Sequence, residues 1–225
     1  FFALFLLIAA VLAFFLALWI GPGVIARDKA NNALPLFLSR PLTRPQYLWG
    51  KMLPLLVLLS LVTWVAGLFL FFLQSALAAP VGGQSWFRAN AYIGWAIFLG
   101  GLVWVVLLAL VANALSAGLK RRWPAAAALA GLFFIPGIAG QVVDQFLVHP
   151  WGQLISALDL MRIIWGGLFR LPMVRHGFVP APGGGRVWGV LPVLPAWSAW
   201  LTVAIIAAAC LALLARSLRP YPPVR

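Results

Sequence analysis

Acidic residues are almost missing from this sequence: it has no glutamate, and Asp28, Asp144 and Asp159 are its only carboxylates. Charge of either sign is scarce, at 8% of 225 residues, against 64% hydrophobic residues. A soluble domain carries roughly a quarter charged residues to keep its surface in water, so this composition excludes one. The three aspartates lie far apart in sequence, which makes a paired-carboxylate acid–base site or a carboxylate cage for a hard cation difficult to build. Cysteine is equally sparse: Cys210 stands alone, so no disulfide framework exists. His149 and His176 are 27 residues apart with no clustered cysteine, so zinc-ligand spacing is missing. No G-x-x-x-x-G-K-[ST] string occurs, which removes the recognisable phosphate loop. The chain is therefore read as an integral membrane protein that does no catalysis and binds no cofactor or metal by itself.

What the sequence does have is long apolar runs. Five are long enough to cross a hydrocarbon core of about 30 Å, which takes roughly 20 helical residues: residues 1–21, 47–77, 91–119, 124–145 and 195–216. Barrel strands alternate polar and apolar side chains, whereas these runs are apolar on every side. The fold class is all-α, a single polytopic transmembrane helical bundle. Residues 47–77 exceed one perpendicular crossing, which predicts tilt or extension beyond the bilayer.

A formal charge of +13 in a soluble protein would suggest nucleic acid, but its distribution here indicates orientation instead. If the spans alternate direction, one side carries Arg27, Lys29, Arg40, Arg44, Lys51, Lys120, Arg121, Arg122, Arg216, Arg219 and Arg225. The other carries Arg88, Arg162, Arg170, Arg175 and Arg186. Those are 11 and 5 of the 16 basic residues, and the positive-inside rule makes the richer side cytoplasmic. That places the C-terminus in the cytoplasm, residues 146–194 outside, and the protein in a plasma or bacterial inner membrane. The first span then runs inward from an apolar start without a basic leader, which predicts an N-terminally truncated sequence and six spans in the intact protein.

The longest polar interruption near the start, residues 27–46, reads as a folded device. Gly21-Pro22-Gly23 is a breaker cluster that stops the first helix. Asn31 and Asn32 suit the N-cap of a short helix through Ser39, with Pro35 in its first turn and Arg40-Pro41 ending it. Thr43-Arg44-Pro45-Gln46 has capping-box spacing for the next helix. The apolar side chains Leu34, Leu36, Phe37 and Leu38 make the short helix either an interfacial one resting on headgroups or a knob for a cytoplasmic partner.

Elsewhere, Asn113 and Ser116 lie at i and i+3 near the inner end of the third span, placed for hydrogen bonds to a neighbouring helix or for intramembrane polar contacts with substrate. Pro136-Gly137 predicts a kink, and Ala127 with Gly131 has small-xxx-small spacing for close packing. Residues 153–171 suit an amphipathic helix at or dipping into the outer surface, with Asp159 and Arg162 as an i,i+3 pair. Asp144 would be a proton-relay candidate if buried, and otherwise an exposed helix-end residue.

The segment from Gly21 to Lys51 resembles the cytoplasmic segment of the type-2 ATP-binding-cassette (ABC) transporter permease family. There, an I-x-x-[DE] run, a small polar pair, a leucine-rich stretch and an S-R-P-[LIV]-[ST]-R-x-x-[YL]-x-x-G-K string lie between two spans. Ile25, Asp28, Asn31 to Leu38, Ser39, Arg40, Pro41, Leu42, Thr43, Arg44, Tyr47, Gly50 and Lys51 match it. The family's frequent Glu-x-Glu-x-Gly-Thr-Leu is Asp-Lys-Ala-Asn-Asn-Ala-Leu here, leaving Asp28 as the acid of that stretch.

The resemblance implies a permease subunit of an ATP-driven export system that pairs with a second permease subunit and contacts a separate cytoplasmic ATPase. ATP and Mg would be held by that partner, while Asp28, Asn31, Asn32, Leu34, Leu36, Phe37, Leu38, Ser39, Arg40 and Arg44 would form the ATPase-coupling surface. Alternatives are an ABC-like membrane anchor or regulatory subunit that moves no substrate, and a membrane enzyme acting on lipid-linked substrates. Scarce acids and the lack of a clustered polar site count against the last.

Overall fold

The computed structural model describes residues 1–31, 44–78, 83–119, 121–146, 151–172, 175–180, 186–191 and 194–217. Apolar sequence in lipid must satisfy its backbone internally, and helices do so within one segment. The chain accordingly forms α1 (Phe2–Ile20), α2 (Gly23–Ala30), α3 (Arg44–Ser60), α4 (Ala66–Leu77), α5 (Gly83–Gly118), α6 (Arg122–Phe146), α7 (Ala157–Leu168) and α8 (Ala196–Ser217). A π-helical turn, Leu61–Val65, joins α3 to α4 without a break, and a 3-10 turn, Trp151–Leu154, precedes α7. Among the described residues, five stretches are long and apolar enough to cross a membrane: Phe2–Ala26, Leu48–Leu77, Ser85–Gly118, Arg122–Asp144 and Ala196–Arg216.

Side-chain contacts fix the directions of the first four of these spans. Along α1, Leu6 lies beside Gly100, Ala10 beside Trp104 and Gly21 beside Ala112, so α1 and α5 run parallel. Leu55 lies near the Gly21–Ala112 level, Trp64 against Gly101 and Phe71 against Gly94, so α3–α4 runs antiparallel to α5. Arg122 meets Trp19 while Phe133 meets Phe14, so α6 runs antiparallel to α1. The first four spans thus alternate as the charge count assumes, and the end holding the α1–α2 corner is called the basic end below.

The core sits around α5. Trp104, Val105, Leu108, Ala109, Ala112 and Ser116 are among its buried residues, and two thirds of its most apolar stretch (67%) is enclosed, against 17–33% for the other spans. At 36 residues α5 is about 54 Å long, so it projects beyond the bilayer, beginning at Gly83 well before the apolar run at 91.

The segment between α6 and α8 dips inward. Ser156 caps α7, accepting a hydrogen bond from the Asp159 N–H at 3.3 Å. The apolar face of α7, with Leu160, Met161, Ile163 and Ile164, is buried. Trp165 Nε1 donates to the Gly100 carbonyl at 3.1 Å, and Gly100 lies inside the third span, so α7 re-enters the apolar layer from the end opposite the basic one. Asp159 and Arg162 form the i,i+3 pair at 3.8 Å.

Outside the spans, β1 (Arg175–Pro180) and β2 (Arg186–Leu191) pair antiparallel, with Arg175 opposite Leu191 and Pro180 opposite Arg186. The all-α reading of the sequence gave this external segment no strands. The β-branched and aromatic residues Phe178, Val179, Val187, Trp188 and Val190, flanking a Pro-Gly-rich stretch, were the available signal.

Candidate functional site

The Gly-Pro-Gly cluster does not end α1 in a left-handed cap. Gly21 keeps right-handed helical angles, φ −56° and ψ −49°, and its N–H donates to the Ala17 carbonyl at 2.8 Å. Glycine is needed for space: a Cβ on Gly21 would sit 2.6 Å from the Ala112 Cβ of α5. Two residues later the chain restarts as α2, so the predicted stop is a tight elbow between two helices. Sequence reasoning missed α2, whose start after Pro22 follows the preference for proline at helix beginnings.

A helix start leaves N–H groups without intrahelical partners, and in an apolar layer water cannot supply them. Ser116, in the last turn of α5, fills that role from another helix. Its Oγ accepts from the N–H groups of Ile25 and Ala26, both at 2.9 Å, and donates to the Pro22 carbonyl at 3.0 Å. The hydroxyl thus uses its donor and two acceptor positions on the elbow, 90–94 residues away in sequence. Ser116, Ile25 and Ala26 are fully buried, so this bond set lies out of water's reach.

The carbonyl end of α1 has a partner on its other side. Arg122 Nη2 donates to the Trp19 carbonyl at 2.8 Å, and the guanidinium carbon stands 5.8 Å from the centre of the Trp19 ring. The elbow is therefore held by α5 through Ser116 and by α6 through Arg122.

Asn113, three residues before Ser116, behaves differently. Its Nδ2 donates to the Ala109 carbonyl of its own helix at 2.7 Å, and its Oδ1 is buried with no hydrogen-bond partner. Of the two polar residues singled out in this span, Ser116 bridges to neighbouring backbone, while Asn113 leaves an acceptor unsatisfied inside the bundle. Both are completely enclosed by the single chain.

Of the remaining predicted coupling residues, Asp28 lies in α2, Asn31 follows α2 and is exposed, and Arg44 opens α3. Asn32, Leu34, Leu36, Phe37, Leu38, Ser39 and Arg40, with the proposed short helix and its proline hinge, lie outside the described residues. The structure therefore places the two ends of the segment at one end of the bundle: α2 leaves the Ser116 elbow, and α3 returns beside it through Leu55.

At the far end, Asp144 serves as an anchor. Its Oδ1 accepts from the Gly152 N–H at 2.7 Å, while the Gly140 and Gly152 backbones approach so closely that neither could carry a Cβ without displacement. Asp144 is neither deeply buried nor fully exposed. Ala127 is exposed, and a Cβ on Gly131 would meet Ile135 of the same helix, so among the described residues the small-xxx-small face of α6 meets no other element. Among the described residues no three His, Cys, Asp or Glu side chains converge.

Against known families, residues 3–221 match the family model described as ABC-2 family transporter protein. No curated protein matches the chain.

Proposed function

Because the chain belongs to the ABC-2 family of transporter membrane proteins, we propose that it is the permease subunit of an ATP-driven exporter, worked by a separate cytoplasmic ATPase that docks on residues 27–46. The observation that carries this reading is the Ser116 clamp on the α1–α2 elbow. A segment that is to pass on a partner's motion needs a stiff root, and here the root is bonded to the most enclosed span of the bundle. A push on α2 then moves α1 and α5 together, as rigid-body switching requires. ATP and Mg are the partner's ligands in this scheme, and the basic end faces the cytoplasm. A second permease subunit covers the unpacked Ala127–Gly131 face of α6, where small residues allow backbones to approach.

The test is a double substitution, Leu36→Asp with Phe37→Asp, in the full chain co-expressed with its ATPase. Membrane insertion is expected to be intact, while ATPase recovered with the permease falls at least about tenfold, the loss produced by removing buried hot-spot side chains worth about 1.4 kcal/mol or more. Undiminished co-purification would overturn the coupling role of this segment.

A further inference from the structure

The seam between α1 and α6 at the basic end has features that the coupling reading does not use. Arg122 is immobilised there: one guanidinium nitrogen is spent on the Trp19 carbonyl, and the group is held near the Trp19 ring. A guanidinium has five N–H donors, so most of its donors remain, presented from a fixed position. Arg121 precedes it and is exposed. The flanking indoles are turned out of the bundle, with Trp19 74% and Trp123 81% exposed. The first turn of α6 carries no acid, and Asp28 is the aspartate that the sequence assigns to this end. Nothing within the described part of the molecule neutralises this pair of arginines.

We propose that the Trp19–Arg121–Arg122–Trp123 seam is a binding site for the headgroup of an anionic phospholipid. Depth and chemistry both select a lipid. Tryptophan partitions to the membrane–water interface, where its ring meets acyl chains and its N–H meets headgroups. Two arginines at that depth meet the phosphates of the anionic leaflet, and guanidinium groups recognise phosphate through paired N–H donors. The position gives the lipid a consequence. Arg122 also holds the Trp19 carbonyl of α1, two residues before Gly21 of the elbow, so a phosphate that fixes Arg122 stiffens the root on which α2 swings.

Native mass spectrometry of the full chain in detergent, titrated with phosphatidylglycerol or phosphatidylcholine, tests this. The unsubstituted protein is expected to retain phosphatidylglycerol at least fivefold better than phosphatidylcholine. Arg121→Gln, which alters an exposed side chain and so keeps the fold, is expected to lower that preference about fivefold. Arg216→Gln removes an equal charge from α8, which the alternation of spans assigns to the same end, and is expected to leave it unchanged. The proposal is overturned if Arg216→Gln costs as much as Arg121→Gln, since general electrostatics would then suffice. It is equally overturned if Arg121→Gln leaves lipid retention intact but weakens recovery of the ATPase, which would assign the surface to a protein. Lipid retention does not depend on residues 27–46, so failure of the coupling reading leaves that readout interpretable.

Discussion

Ser116 and Asn113 are one helical turn apart and equally buried, yet they have opposite energetic signs. Ser116 satisfies two amides and one carbonyl that apolar surroundings would otherwise leave bare. Removing its hydroxyl leaves buried N–H groups unpaired, at about 1–3 kcal/mol. Ser116→Ala is therefore expected to lower the thermal midpoint of the purified protein by several degrees. Asn113 spends one amide hydrogen on its own helix and leaves Oδ1 unpaired. Asn113→Leu, close in volume, is expected to be neutral or stabilising by up to about 2 kcal/mol. A side-by-side melt of the two variants checks both, and a destabilised Asn113→Leu would mean that Oδ1 has a partner in the membrane. The i,i+3 spacing made it legible that these residues share a helix face. Which neighbour each would meet was not legible, because the elbow reaches Ser116 from 90 or more residues away.

At the scale of elements, α7 depends on how it ends. The Leu171 N–H donates to the Gly166 carbonyl at 2.9 Å and the Arg170 N–H to Gly167 at 3.3 Å, the paired bonds of a Schellman cap. The left-handed position of that cap, usually glycine, is Arg170 with φ 53°. Its guanidinium stands 4.8 Å from the Tyr92 ring of α5, which offsets the backbone cost and ties the end of α7 to the central span. Arg170→Gly relieves the backbone and loses the ring contact, so its stability should stay near that of the parent. Arg170→Ala loses the contact and keeps the cost, and should be about 1 kcal/mol less stable than Arg170→Gly. Chemical unfolding of the three proteins gives the order. The amphipathic pattern of residues 153–171 was readable, and so was the Asp159–Arg162 pair. The division into a 3-10 turn and α7 was not, because it follows from the Gly140–Gly152 approach and the Asp144 bond, which are contacts between elements. The Gly-Pro-Gly elbow has the same explanation: glycine announces a change of direction, but Ala112 and Leu55 decide its geometry.

For the molecule as a whole, the spans were legible because length and unbroken apolarity suffice to identify a crossing helix. Their alternation emerges from the contacts of α5 with α1 and α3–α4, and it supports the division of basic residues between two ends. If the basic end is cytoplasmic, Arg88→Cys should react with a membrane-impermeant maleimide on intact cells, and Arg121→Cys only after permeabilisation. Cys210 is 8% exposed, so the background should be low. The reverse labelling pattern would invert the orientation.

The enclosure of α5 also bears on where a substrate could travel. A bundle whose central helix is walled in by its neighbours is a spindle rather than a pipe: its axis is occupied by Trp104, Leu108 and Ala112 instead of a lumen. In the exporter proposed above, cargo would therefore move along the rim of this bundle rather than through its axis.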